Sequence, residues 1–407
     1  MATNKTVPLL AEKVSAAVNH FTGWLEDYGE TSWDHQSYYA GPLGSRAKAL
    51  YYKSKHLGIA AVAPMVFSEA FLPAARRFFH EPMRLPIADA HYAMGFAFLH
   101  EATGDAHWLD RAEHFLDVLV ETRCPAYAEF CWGYPFDWVT RNGVIPRGTP
   151  LITTTPYAFE AFLQVQKLRP TEERKKIIES IVRHALTDIK DYKFSEHGMT
   201  CSYTPHDTGK VVNASAYRAG LLVQAAKFFG REELLKPASL NVNFVLETQK
   251  PDGSWPYAVD GVRDFVDHFH TCFVMKALAK IFLLTGEQRI REALGRGLDY
   301  YRKNLFAGDG LPRPFSVAPR LTVYKCELYD CAEAVNLCLL LRKDFPELEN
   351  VMEAVVSGVL QNWLKPDGSF RSRRLISGWD NVPMHRWAQS QMFRSLAFYL
   401  REINARL

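Results

Sequence analysis

The sequence predicts an all-α fold, an (α/α)6 toroid of six helical hairpins with short β-hairpin or turn loops over one mouth, and two observations predict it. Six helix starts bearing polar and aromatic residues recur at steps of 64, 60, 54, 60 and 58 residues, a period of one helix–loop–helix unit. Each start leads into a stretch that is apolar almost all round, such as AYRAGLLVQAAKFFG or TCFVMKALAKIFLLTG, and a charged amphipathic stretch follows. Helices of the first kind are buried on most sides, whereas those of the second keep one wet face. Inner and outer helices in alternation make a ring.

The starts are Asp89-Ala-His91-Tyr92, Thr153 to Tyr157, Asn213 to Tyr217, Asp267 to His270, Glu327 to Asp330 and His385-Arg386-Trp387. Gly104, Gly230 and Gly286 follow three of the apolar stretches as C-caps. Outer helices are expected at 106–122, 171–190, 231–248, 287–304 and 346–364. These are five, so the sixth must come from the N-terminal region, either from 7–28 or from 59–79. The chain is then one domain, 1–407, with 1–85 as its closing segment. Turn signals stand at Lys250-Pro-Asp-Gly-Ser-Trp255, Asp309-Gly310 and Lys365-Pro-Asp-Gly-Ser-Phe370. The alternative architecture is an open solenoid whose concave face binds protein; it needs a polar cap at each end, and the final segment AQSQMFRSLAFYL is apolar.

Composition narrows the function. At 407 residues, 48% hydrophobic and 23% charged, the chain can bury a large core. A net charge of +3 excludes the single-sign field of a protein built around nucleic acid. No apolar run reaches the ~20 residues a bilayer span needs. The first residues lack the pattern of a secretory signal, so the cytoplasm is the expected compartment. Seven cysteines without C-x-x-C spacing predict free thiols.

In such a ring the inner helices run the same way, and their N-termini with the preceding loops gather at one mouth. Helix N-termini there favour anionic or hydroxyl-rich ligands. The mouth should also collect Trp132, Tyr134, Asp137, Trp138, Trp255, Tyr257, Tyr324, Trp379 and Asp380. Basic residues join them at Arg141, Arg147, Arg263, Arg313, Arg320, Lys325, Arg371, Arg373 and Arg374. Flat aromatic faces with carboxylates and amides suit a sugar, and arginines suit an anionic one. The N-cap and core roles of these residue types compete with that reading, and Asp89, Thr153, Asn213 and Asp267 are all acceptable caps. His268, His270, Cys272, Cys326 and Cys331 come from neighbouring units, but no spacing among them marks a zinc site. No metal or other cofactor is predicted.

The element Gln249-Lys-Pro-Asp-Gly-Ser-Trp255 resembles the Q-x-x-D-G-S-W of terpenoid cyclase and protein prenyltransferase toroids. Asp267 to Phe273 is similar to the prenyltransferase helix start that carries a zinc-binding histidine. That resemblance implies His270 as the ligand, with its two companions falling at Asn213 and Ser215, where neither a carboxylate nor a thiol stands. It supports the ring and weakens isoprenoid chemistry. In layout the chain also resembles carbohydrate-active toroids, namely uronyl hydrolases, polysaccharide lyases and sugar epimerases. These imply Tyr, Glu, Asp, His and Arg at the mouth as the working groups.

The expected function is therefore that of a carbohydrate-active enzyme on an anionic, uronate-type glycan or a surface-polysaccharide precursor. Its chemistry is acid/base, ending in epimerisation, elimination or hydrolysis. His270 and His385 are the expected acid/base pair and Glu327 with Tyr329 the next, with Arg386 as carboxylate clamp. Trp132, Asp137, Tyr157, Asn213, Tyr217, Trp255, Asp267, His268, Asp330 and Trp387 are expected to bind substrate. The alternative is a non-catalytic or divergent prenyltransferase-like toroid holding a lipid or peptide. The expected partner is a sugar or oligosaccharide, with neither nucleic acid nor a membrane span involved; the oligomeric state stays open.

Overall fold

The computed structural model describes residues 6–319 and 322–405; Arg320, one of the basic loop residues above, lies outside them. Helix α1 (Thr6–Tyr28) opens the described chain. Three helices, α2 (Ser37–Ala40), α3 (Pro42–Lys53) and α4 (Lys55–Phe71), and a 3-10 turn at Pro73–Phe78 follow. From there the chain alternates inner and outer helices: α5 (Pro86–Thr103) with α6 (Ala106–Glu121), α7 (Thr155–Leu168) with α8 (Glu172–Thr187), and α9 (Val212–Phe229) with α10 (Leu235–Glu247). Then come α11 (His268–Thr285) with α12 (Gln288–Asn304), α13 (Leu328–Leu341) with α14 (Leu348–Asn362), and α15 (Ser390–Asn404), entered through a π turn at His385–Gln389.

The ring closes, because α15 packs on α5 as well as on α13. Phe96 and Phe98 of α5 meet Phe393 and Phe398 of α15 at 4.8 and 4.7 Å between centroids, and Phe21 of α1 covers Phe393 at 5.2 Å. The sixth outer helix is thus α1, matching the 7–28 expectation; 59–79 lies elsewhere. Burying an aromatic side chain contributes roughly 1.5–3 kcal/mol, and aromatics hold this last joint from both sides.

The two Lys-Pro-Asp-Gly-Ser turns show the same closure. After α10, Asp252 Oδ1 accepts hydrogen bonds from the Ser254 N–H and Oγ at 2.9 and 2.7 Å; after α14, Asp367 does the same for Ser369 at 3.0 and 2.7 Å. Gly253 has φ +93° and lies so close to α12 that a Cβ would meet the Arg296 carbonyl oxygen at 2.2 Å. Gly368 has φ +88° and approaches the His20 carbonyl oxygen of α1 in the same way, at 2.5 Å. Each turn seals one outer helix to the next, and α1 occupies the place after α14. Gly104, Gly230 and Gly286 cap α5, α9 and α11 in the left-handed conformation, as the sequence predicts.

Small antiparallel sheets lie at the mouth: β1 (Trp138–Thr140) with β2 (Gly143–Ile145), β3 (Asp191–Lys193) with β4 (Met199–Cys201), β5 (Val266–Asp267) with β6 (Phe315–Val317), and the three-stranded β7 (Tyr324–Glu327), β8 (Arg373–Leu375), β9 (Trp379–Asp380). They fall between the tight turns and the inner helices, and two of them join distant loops rather than forming local hairpins.

Residues 29–85 form an insertion that sits on these loops. Its α3–α4 hairpin has a small core of its own around Tyr38, Ala47 and Met65. Buried ion pairs fasten it down: Arg76 to Asp380 of β9, Glu69 to Arg373 of β8 at 2.5 Å and Asp34 to Arg386 at 2.5 Å.

Candidate active site

Asp267, delivered by β5 in an extended conformation, is the N-cap of α11. Its Oδ1 accepts from the His270 N–H at 3.3 Å, and its Oδ2 accepts from His270 Nδ1 at 2.6 Å. Asp267 is buried, while the His270 side chain keeps 21% exposure. Since Nδ1 gives its hydrogen to the carboxylate, Nε2 is the ring nitrogen left to accept a proton. The ring is held between Tyr257 and Phe269, at 4.5 and 4.3 Å.

The next start, at α13, brings a second ionisable group. Glu327 ends β7 opposite Arg373 of β8; its Oε1 pairs with Arg373 Nε at 2.8 Å, and its Oε2 accepts from Trp387 Nε1 at 2.9 Å. Burial is the largest influence on Glu327 and moves its pKa upward; Arg373 opposes this, and the charges of Glu69 and Asp267 reinforce it. The net shift is upward, so a proton stays on this carboxyl to higher pH than usual. Glu69 shares Arg373. Burial alone would raise it too, but Arg373 prevails and holds it down.

Trp387 connects the two. Its ring stacks on Tyr329 at 4.6 Å and 18°, meets Phe269 edge-on at 5.4 Å, and lies 4.1 Å from the His35 ring. Arg386 beside it turns Nε and Nη2 to Asp34, at 3.1 and 2.5 Å, and donates through Nη1 to the Tyr134 hydroxyl at 3.2 Å. Burial would raise Asp34, yet Arg386 and His35 take it well below the usual carboxylate range; burial brings His35 down to about 4. Tyr134, Trp138, Tyr203, Tyr257, Phe269 and Trp387, all partly exposed, give the mouth an aromatic wall.

Deeper in the ring, Tyr157 and Tyr217 share a hydrogen bond at 2.5 Å. A layer of charge on the inner helices lies beneath: Lys276 with Glu333 at 2.5 Å, Lys280 with Glu160, and Arg394 donating to His91 Nδ1 at 2.9 Å. Burial brings Lys280 down to about 8. Of these residues all but His91 escape a reading focused on helix starts, although an isolated charge inside an apolar inner helix, as at Glu160 or Lys276, is itself a signal.

Of the residues expected at the mouth, His270, Asp267, Glu327, Tyr329, Arg386 and Trp387 come together there, and Tyr157 and Tyr217 lie below them. Asn213 is buried in the first turn of α9 with its side-chain oxygen unpartnered. Asp137 stays on the exposed rim, where it accepts from the Arg147 N–H at 2.8 Å. Of the expected caps, Asp267 makes the capping bond, whereas Asp89 sits inside the first turn of α5 and pairs with Arg84.

Five expectations need correction. His385 faces α1: Nε2 donates to the Gly29 carbonyl at 3.0 Å, Nδ1 accepts from the Tyr92 hydroxyl at 2.5 Å, and burial takes its pKa to about 4. Both nitrogens are spent, and no lone pair is left for substrate. His268 points outward as well, to the Tyr301 hydroxyl of α12 at 2.9 Å, with Asp330 beside it at 3.6 Å; both are fully buried. Burial moves Asp330 well up and His268 down to about 3, disfavouring the charged form of each. Trp132 and Trp255 wedge between helices, donating their indole N–H to the carbonyls of Leu119 and Val245 at 2.8 and 2.9 Å. The Q-x-x-D-G-S-W element is therefore a structural clamp: Gln249 Nε2 donates to the Gly253 and Ala293 carbonyls at 3.0 and 2.9 Å. Ser215, at a position the prenyltransferase resemblance gives to a ligand, instead accepts from the Cys201 N–H at 3.0 Å.

No protein-family model matches the sequence, and no curated protein does. Solved structures match in shape. Cellobiose 2-epimerase from Bacillus thermoamylovorans aligns with a TM-score of 0.62 and 10% identity over 80% of this chain and 88% of its own. A D-mannose isomerase gives 0.58 and 13% over 78% and 87%. A glycosyl hydrolase family 88 protein from Bacteroides vulgatus gives 0.55 and 10% over 84% and 98%. At such identities the likeness is one of architecture, and the chain has the (α/α)6 toroid fold of these carbohydrate-active proteins.

Proposed function

We propose that this protein is a carbohydrate-active enzyme that moves a proton at a carbon next to a sugar carbonyl, an epimerase or isomerase in reaction type. The observation that carries this reading is the Asp267–His270 pair at the aromatic mouth, linked through Phe269 and Trp387 to the buried carboxyl of Glu327. His270 Nε2 takes the proton from carbon, and the electron pair moves into the carbonyl. Glu327, whose buried carboxyl keeps a proton to higher pH than usual, gives a proton to the carbonyl oxygen as the enediol forms. As the Glu327 carboxylate takes back a hydroxyl proton, return of the His270 proton to the neighbouring carbon isomerises the sugar, and its return to the first carbon after the enediol has turned its other face to His270 inverts that carbon. Trp387 on Tyr329 offers a flat face to sugar C–H bonds.

The substrate class follows from the arginines. Arg386 is committed to Asp34 and Tyr134, and Arg373 to Glu327 and Glu69. Neither is free to clamp a uronate carboxylate, so the reading favours a neutral reducing sugar over the anionic glycan expected from sequence. The solved structures of similar fold include proteins described as a cellobiose epimerase and a mannose isomerase, which supports that choice.

The test is incubation in deuterium oxide with a panel of neutral disaccharides, hexoses and uronate oligosaccharides. Deuterium at the carbon beside the carbonyl of a neutral sugar is the expected result. New reducing ends without deuterium would assign hydrolysis and overturn the reading, as would deuterium confined to the uronates for the substrate class.

A further inference from the structure

The insertion carries a feature that the mouth does not use. Helix α4 has only Lys55 and Glu69 as charged residues over its 17 positions, a composition like that of the buried inner helices. Yet one side of α4 faces outward. Nine of the eighteen large apolar side chains exposed among the described residues fall between Leu43 and Phe78. Phe78, Leu43 and Leu57 stand out most, at 77%, 73% and 64% exposure, followed by Phe67, Leu72 and Phe71. Ile59, Phe67 and Phe71 recur at helical spacing along one stripe with Ala60, Ala63 and Pro64, all exposed. A patch of this kind on an otherwise polar surface marks an interaction site.

Charge identifies the partner. Residues 41–80 contain six basic residues, Arg46, Lys48, Lys53, Lys55, Arg76 and Arg77, against one acid, Glu69. The segment therefore carries +5 of a chain whose total is +3. Glu69 and Arg76 point inward and bind Arg373 and Asp380. Arg46, Lys53, Lys55 and Arg77 remain exposed around the apolar stripe, without an exposed carboxylate in the segment.

We infer that the α3–α4 hairpin is a docking element for an anionic lipid surface. The apolar stripe enters the boundary between headgroups and acyl chains, and the basic rim meets lipid phosphates and carboxylates. No helix among the described residues is long and apolar enough to cross a membrane, so the hairpin lies in the interface. A second copy fits this face poorly: a twofold contact would set the same uncompensated positive charges against each other. Because the inner face of the hairpin is fastened to the mouth loops, docking holds the mouth beside the bilayer surface.

The experiment is flotation of the full chain with phosphatidylcholine vesicles containing about a third phosphatidylserine, against pure phosphatidylcholine. Binding to the anionic vesicles is expected, weaker by about tenfold or more on the neutral ones and at high salt. Phe67→Ser with Phe71→Ser, and separately Arg46→Glu with Lys53→Glu, should each lower partitioning by about tenfold or more. These side chains are exposed, so thermal melting should not change and lost binding cannot be put down to unfolding. Absence of flotation at low salt, or flotation that ignores both pairs of substitutions, overturns the inference. A concentration-dependent dimer in sedimentation velocity that Phe67→Ser dissolves would assign the face to a second copy instead. None of these outcomes depends on the reaction proposed above.

Discussion

Two helix starts look alike in sequence, Asp267-His-Phe-His270 and Asp380 to Trp387, and the molecule puts their histidines to opposite uses. His270 opens an ordinary α-helix behind a capping aspartate, and its ring stays beside the aspartate, partly exposed at the mouth. His385 opens a π turn, and its ring is set among Trp24, Tyr28 and Tyr92 with both nitrogens engaged. At the first start the side chain following the loop is free for chemistry; at the second it seals the ring against α1. A histidine at a helix start is thus a site candidate only while one ring nitrogen lacks a partner.

The comparison can be broken most sharply at His270. His270→Asn should lower proton exchange at carbon by about 10³-fold, the usual weight of a general base, with unfolding free energy changed by less than about 1 kcal/mol. If exchange persists in that variant, the base lies elsewhere. His385→Ala should behave the other way. Losing the ring and leaving the Tyr92 hydroxyl without its acceptor should cost about 2–4 kcal/mol in denaturant unfolding, and residual activity should follow the folded fraction.

A pH titration sharpens the contrast. The folded pKa of His385 is depressed to about 4, below the usual ~6.5, so the unfolded state binds the extra proton in that interval. The stability due to the neutral ring is fully present above pH ~6.5 and is lost as pH falls toward 4, by about 3 kcal/mol. Plotted against pH, the stability difference between wild type and His385→Gln should shrink over this window. A flat difference would mean that the ring is not held neutral.

Two smaller effects complete the series. Gly253→Ala places a Cβ in a left-handed turn against the Arg296 carbonyl and should cost about 1–3 kcal/mol, read as a lower melting temperature. Asp137→Ala on the exposed rim removes the acceptor of one loop bond and should change stability by less than about 0.5 kcal/mol.

Much of this was legible before any coordinates. The period of the helix starts, the contrast between apolar and charged helices and the glycine caps all follow from local physics, and together they require a ring. The gathering of His270, Asp267, Glu327, Tyr329, Arg386 and Trp387 at the mouth was legible because they interrupt or introduce otherwise apolar helices. The insertion was not. Asp34 and Glu69 come from a segment outside the repeat and carry no pattern of their own, yet they bind Arg386, the expected clamp, and Arg373, one of the basic residues expected at the mouth. Trp132 and Trp255 misled for a related reason, since an aromatic beside a loop can face the cavity or the next outer helix.

Which helices are buried, and in what order they alternate, was written in the chain, because hydrophobic period and capping act over a few residues. Tertiary structure alone decided which side of each helix start meets the cavity and which charges are already neutralised. Those outcomes depend on partners tens to hundreds of residues away, such as Asp34 for Arg386 and Gly29 for His385, whose approach is set by how the ring closes.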